Sequence, residues 1–230
     1  MERASRMTQE EIIQDERQRQ AAQANWREMW NRRASRLNAC DWKQTIDAFE
    51  AVTPTQRAAE REIRVAIGAW PQERRSYYIW GPDYGPGKSH LARAYAIGVL
   101  DKGGTVVVWR VRVFRNALMA SWRDYDMTGP GQESKERDLV VFDDLEKSGL
   151  DLSSPTQHGE LYDLVDWMSD QGKAIVVTSN LPLRSLGRNP SALCLESLFG
   201  GAFVDRLARC RELYISGPSG RRLDDGQGLG

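Results

Sequence analysis

The sequence has no excess of charge of either sign, few cysteines and histidines, and no apolar run that approaches the length of a membrane span. Its 32 basic and 32 acidic residues cancel. That balance excludes a global field steering the chain onto nucleic acid or anionic lipid, so any nucleic-acid contact has to use a local patch. Cys40, Cys194 and Cys210 lie far apart, form no CxxC pair and share no metal-ligand rhythm with the two histidines. Such usage fits a reducing compartment. The opening stretch MERASRMTQEEIIQDERQRQ is too charged for a secretory apolar region, and with no membrane span in sight a cytoplasmic location is expected. A chain of 230 residues holds one compact α/β domain with a modest extension. No internal repeat interrupts that reading.

What is present is an alternation. Residues 8 to 38 carry neither Pro nor Gly, and Thr8 with Glu11 forms a capping-box pattern, so this stretch reads as helix. Its apolar residues are sparse: Ile12, Ile13, Ala22, then Trp26, Met29 and Trp30. Such a helix buries little surface alone. A loop broken by Pro54 follows, then a second helix with Ala59, Ile63, Ala66 and Ile67 at helical spacing. The boundary is placed near Thr45, giving an N-terminal helical extension over 1–44 and a main domain over 45–230. Beyond it, apolar runs at 77–80, 105–111, 139–144, 174–180 and 212–217 alternate with helical stretches, which predicts a parallel sheet flanked by helices.

Between the strand YYIW and the helical stretch HLARAYAIGVL lies Gly81-Pro82-Asp83-Tyr84-Gly85-Pro86-Gly87-Lys88-Ser89, in the strand-to-helix context of a phosphate-binding loop. Glycines let backbone N–H groups approach a phosphate, and the helix N-terminus adds its positive end. Lys88 supplies a point charge and the Ser89 hydroxyl a ligand for Mg²⁺. The candidate nucleotide-binding set is Gly81, Gly85, Pro86, Gly87, Lys88, Ser89 and His90. The pattern GxxxxGK[ST] wants glycine at position 82 and finds Pro82, while Gly81 stands one residue early, as if the loop carried one extra residue.

LVVFDDLE sets Asp143 and Asp144 at the C-terminal edge of an apolar strand, where ligands of open α/β sheets sit. Asp143 would hold Mg²⁺ with Ser89, and Asp144 would orient or deprotonate an attacking water, with Glu146 in reserve. AIVVTSN ends in Thr178, Ser179 and Asn180, polar groups suited to a γ-phosphate or that water. Trp109, Arg110, Arg112, Arg115, Trp122 and Arg123 form an aromatic and basic group of the kind that stacks bases and tracks phosphates, although tryptophans are more often core.

In order and approximate spacing, IWGPDYGPGKSHLARA, DLVVFDDLEKS, AIVVTSNLP and FVDRLARC resemble the DnaC-type helicase loaders and IstB-type transposition ATPases of the AAA+ class, over roughly residues 45 to 223. The resemblance implies a P-loop NTPase that hydrolyses ATP with Mg²⁺, the first two segments being Walker A and Walker B and Asn180 ending a sensor strand. It implies an arginine finger at Arg206 and a sensor-2 arginine at Arg222, beside Arg221. A finger supplied by a neighbour makes hydrolysis depend on self-association. The implied partners are a replicative helicase, docked through the N-terminal helix, and single-stranded DNA; an IstB-type protein would take a transposase and duplex DNA instead. The same apolar stripe on that helix also suits folding back on the core. A nucleotide-dependent adaptor that does not hydrolyse ATP stays open, because the loop is altered; Asp144 stands where many AAA+ proteins have glutamate, though the family it resembles often uses aspartate there.

Overall fold

The computed structural model describes residues 9–124, 128–147, 155–185 and 193–219. Its first element, α1 (Gln9–Ala34), is a long helix whose described side chains are all exposed as far as Trp30. Trp26 and Trp30 stack on each other with ring centroids 5.8 Å apart. After α1 the chain turns sharply onto the domain, with Arg36 at a positive φ of 63°. A short turn of 3-10 helix at Asp41–Lys43 follows.

The helix α2 (Pro54–Ala69) begins where the sequence pattern suggested a break. Pro54 is its first residue, where a missing N–H costs nothing. Thr53 caps it reciprocally with Gln56. Then come β1 (Tyr77–Trp80), α3 (Lys88–Asp101), β2 (Val106–Arg110), α4 (Val111–Arg123), α5 (Pro130–Lys135), β3 (Leu139–Asp143), α6 (Pro155–Asp170), β4 (Ala174–Ser179), α7 (Leu195–Phe199), α8 (Gly201–Leu207) and β5 (Arg211–Tyr214). The strand expected to reach 111 stops at Arg110, because Val111, Phe114, Leu118 and Ser121 are buried at helical spacing and start α4.

All strand pairings are parallel, in the order β2-β3-β4-β1-β5. The three inner strands β1, β3 and β4 are buried throughout, and β2 as far as Trp109, which is why they read as continuous rather than alternating apolar stretches. Tyr77, Ile79, Val106, Val108, Val141 and Val176 pack under α2 and α3. Tyr78, Trp80, Val107, Trp109, Phe142 and Val177 pack under α4, α6, α7 and α8. At the β2 edge the Val108 N–H donates to the Ser35 carbonyl at 2.9 Å, so the chain leaving α1 closes part of an otherwise open ladder. Among the described residues no helix is long and apolar enough to cross a membrane.

Candidate nucleotide site

Because β4 lies between β1 and β3, with Trp80 opposite Ser179 and Phe142 opposite Val177, three strand ends open at one edge of the sheet. The phosphate-type loop, the acidic pair and Asn180 therefore converge from segments about 100 residues apart in the chain.

The loop turns twice through left-handed backbone, at Gly85 (φ 83°) and at Gly87 (φ 104°), the residue preceding α3. Gly81 answers a different demand: a Cβ there would lie 1.8 Å from the Ile215 carbonyl oxygen. The early glycine thus belongs to the packing of the chain leaving β5, and Pro82 stands exposed with no glycine in its place. The loop is braced from outside. Gln56 Nε2 donates to the Pro86 carbonyl at 2.9 Å, and the Gly217 N–H donates to Asp83 Oδ2 at 3.0 Å. Lys88 Nζ donates to the carbonyls of Gly81 and Asp83 at 2.8 and 2.7 Å. Burial pulls its ammonium below the ordinary lysine range, while the charges of Glu146, Asp144 and Asp83 pull it back up. A cation at the start of a helix, ringed by carboxylates it does not touch, suits an anionic ligand.

Asp143 is almost fully buried and fully bonded. Its Oδ1 accepts from Ser89 Oγ at 2.6 Å and Thr178 Oγ1 at 2.7 Å, and its Oδ2 from Arg93 Nη2 at 2.7 Å. Thr178 and Ser179 are themselves without solvent access, so of the three polar residues ending β4 only Asn180 remains to face a ligand. Asn180 Nδ2 donates to Glu146 Oε1 at 2.6 Å. Glu146 Oε2 is buried with no hydrogen-bond partner. Asp144 lies in left-handed backbone at φ 61°, and Lys147 Nζ donates to its Oδ2 at 3.0 Å. One hydroxyl and one carboxylate fit Mg²⁺ as nucleotides carry it, since that ion takes few protein ligands and the phosphates supply the rest. Among the described residues no group of three His, Cys, Asp or Glu gathers to hold a metal unaided.

The remaining expected residues are dispersed. His90 turns from the loop: its Nε2–H donates to the Thr45 carbonyl at 2.8 Å and its ring meets Phe49 edge-on. Burial holds the imidazole below its ordinary range. Arg206 donates through Nε to Asp166 of α6 and lies 5.2 Å from the Tyr162 ring centroid. Arg221, Arg222 and Thr8 lie outside the described residues. Trp109 is no base platform: it is fully buried, donates to Ser134 Oγ and is covered by the Arg36 guanidinium at 3.9 Å. Trp122 is partly buried against the core, while Arg110, Arg112 and Arg123 are exposed.

Three residues at the site were not singled out from sequence: Gln56, Asp41 and Arg93. Arg93 carried a signal, as the one formally charged residue of HLARAYAIGVL, four positions after Ser89 and hence on its helix face.

The sequence pattern of the family described as IstB-like ATP binding protein matches residues 4–227. A Sinorhizobium fredii protein named as an insertion sequence ATP-binding protein is 25% identical over 142 residues, 61% of this chain. The chain spans less than half, 45%, of that relative's length. Among solved structures, the DnaC helicase loader is similar with a TM-score of 0.64 at 21% identity, over 78% of this chain and 100% of that one. AMPPCP-bound DnaA from Aquifex aeolicus gives 0.64 at 19% identity, over 79% and 51%. DnaI gives 0.63 at 17% identity, over 79% and 95%. These likenesses establish the fold: an α/β domain with a parallel sheet, shared with the DnaC, DnaA and DnaI structures.

Proposed function

We propose, from the premise that this chain belongs to the family of IstB-like ATP binding proteins, that it is a cytoplasmic AAA+ ATPase that loads a replicative helicase onto single-stranded DNA. The observation that carries the ATPase part is the contact of Ser89 Oγ with Asp143 at 2.6 Å beside Lys88 at the head of α3. It supports binding of a nucleotide with its divalent cation. Lys88 and the loop N–H groups take the phosphates. Ser89 and Asp143 hold Mg²⁺, which supplies charge neutralisation at the phosphates when bound. Asp144 orients or deprotonates the water, with Glu146, backed by Asn180, as the competing carboxylate. Arg206 completes the site of a neighbouring copy, which requires its Asp166 pair to open, and Arg222 completes the sensor-2 region.

The helicase part is supported by the exposed Trp26, Met29 and Trp30 of α1, which present an unburied apolar stripe to a protein partner. The likeness to the DnaC helicase loader supports the same partner. A second reading, a transposition ATPase serving a transposase on duplex DNA, is favoured by the family match and by the insertion sequence relative. Lys88→Ala tests the common core: nucleotide affinity measured by direct titration is expected to fall about a hundredfold or more, as expected for loss of the phosphate-facing cation. Unchanged affinity would refute the site. Capture by the full chain of purified replicative helicase, but not of transposase, separates the two partners.

A further inference from the structure

Three ionised side chains with almost no access to water connect the N-terminal segment to the metal side of the site. Arg93 stands between Asp143, 2.7 Å away, and Asp41, whose Oδ1 lies 2.9 Å from Arg93 Nε in an ion pair without hydrogen-bond alignment. None of the three side chains is more than 9% exposed. Burying ions costs several kcal/mol each and seldom stabilises a fold beyond what apolar packing would. A triad placed behind the metal-side carboxylate therefore points to a role in the site.

Asp41 is held in place. Its Oδ2 accepts from the Asn38 N–H at 3.0 Å, and Asn38 Oδ1 in return accepts from the Asp41 N–H at 3.0 Å. The same segment is fastened to β2 through Ser35 and continues directly into α1. Two carboxylates and one guanidinium leave a single negative charge, and its distribution depends on how Arg93 is shared. We propose that Arg93 is a positioning residue dividing its charge between Asp143 and Asp41, and that Asp41 thereby sets how tightly the site takes Mg²⁺. The inference rests on the ATP-binding reading.

The sign follows from electrostatics. With Asp41 neutralised, Arg93 is left to Asp143 alone, the pair is neutral, and the pull on a divalent cation weakens. With Arg93 removed as well, the full carboxylate charge faces Ser89 and the pull strengthens. Coupling between two binding events is reciprocal. Whatever shifts residues 35–43, including a protein seated on α1, changes Mg²⁺ affinity, and Mg²⁺ changes the hold on that segment.

The test uses the full chain and a fluorescent ATP analogue held below saturation, with bound fraction read against Mg²⁺ concentration and again in excess EDTA. Asp41→Asn is expected to raise the Mg²⁺ midpoint roughly three- to tenfold while affinity in EDTA stays at the wild-type value. Asp41→Asn combined with Arg93→Gln is expected to bring the midpoint below wild type. A merely structural role would weaken binding in both variants, with or without metal. Coincident midpoints for wild type and Asp41→Asn, or shifts of one sign in both variants, overturn the proposal. Should Asp41→Asn not fold, the double variant decides alone, and a midpoint at or above wild type overturns it. Folded wild-type protein that binds no analogue at any Mg²⁺ concentration sinks the ATP-binding reading and this inference together. Binding that ignores Mg²⁺ sinks only the inference.

Discussion

Helices α1 and α3 are opposites. Helix α1 runs 26 residues and exposes Trp26, Met29 and Trp30 at 59, 63 and 54%. Helix α3 runs 14 residues and is buried on every side from Leu91 to Leu100. The longer helix keeps its shape through surface pairs such as Arg32–Glu28, each worth a few tenths of a kcal/mol. The shorter one is held by the sheet and by α2, and so can carry two buried cations, Lys88 and Arg93, in fixed positions. Burial organises chemistry in α3, and its lack leaves α1 available to something outside the chain.

The largest expected break in this contrast is Arg93→Ala. It strands Asp41 and Asp143 as uncompensated buried carboxylates, and urea unfolding should register a loss of about 3–5 kcal/mol. Arg32→Ala on α1 is the control: its partners Glu28 and Asp101 are exposed, so the same measurement should change by no more than about 1 kcal/mol. A comparable loss in both would erase the contrast. Trp26→Ala with Trp30→Ala should shift unfolding by about 0.5 kcal/mol or less, leave nucleotide affinity intact and abolish capture of the protein partner. Loss of nucleotide binding there would mean that the stripe serves the core.

The finest probe is His90, at the head of α3. Its folded pKa lies below its unfolded value because burial disfavours the imidazolium. Its neutral form therefore contributes stability that is fully present above the unfolded pKa and lost as pH falls through the folded one. The difference in melting temperature between wild type and His90→Asn should be largest above neutrality and shrink as the solution is acidified below about pH 6.5. A difference that grows on acidification would reverse the assigned direction.

How much of this was legible in the sequence depended on distance along the chain. Apolar strands that end in polar residues, and a Lys-Ser pair opening a helix, are local patterns, and they located β1, β3, β4 and the loop. Pro54 marks the break that the pattern suggests, and the Thr53–Gln56 cap around it makes that break the first turn of α2. The apparent extra loop residue became intelligible only once Gly81 was seen against Ile215, far along the chain. The Arg93–Asp41 pair and the Asn180–Glu146 bond join residues dozens of positions apart. Periodicity carries no record of such contacts.

The fastening of Ser35 to β2 and of Asp41 to Arg93 has a mechanical meaning. A helix of 26 residues is about 39 Å long, and among the described residues this one is gripped only at its C-terminal end. It is a lever whose short arm ends at the candidate nucleotide site. Force applied across the tryptophans bears on the Arg32–Asp101 pair, on the contacts of Arg36 with Glu133 and Trp109, on the Ser35–Val108 hydrogen bond and on the buried Arg93–Asp41 pair. A load on α1 would thus pass through this joint toward Asp143, with the sheet behind it as the fixed frame.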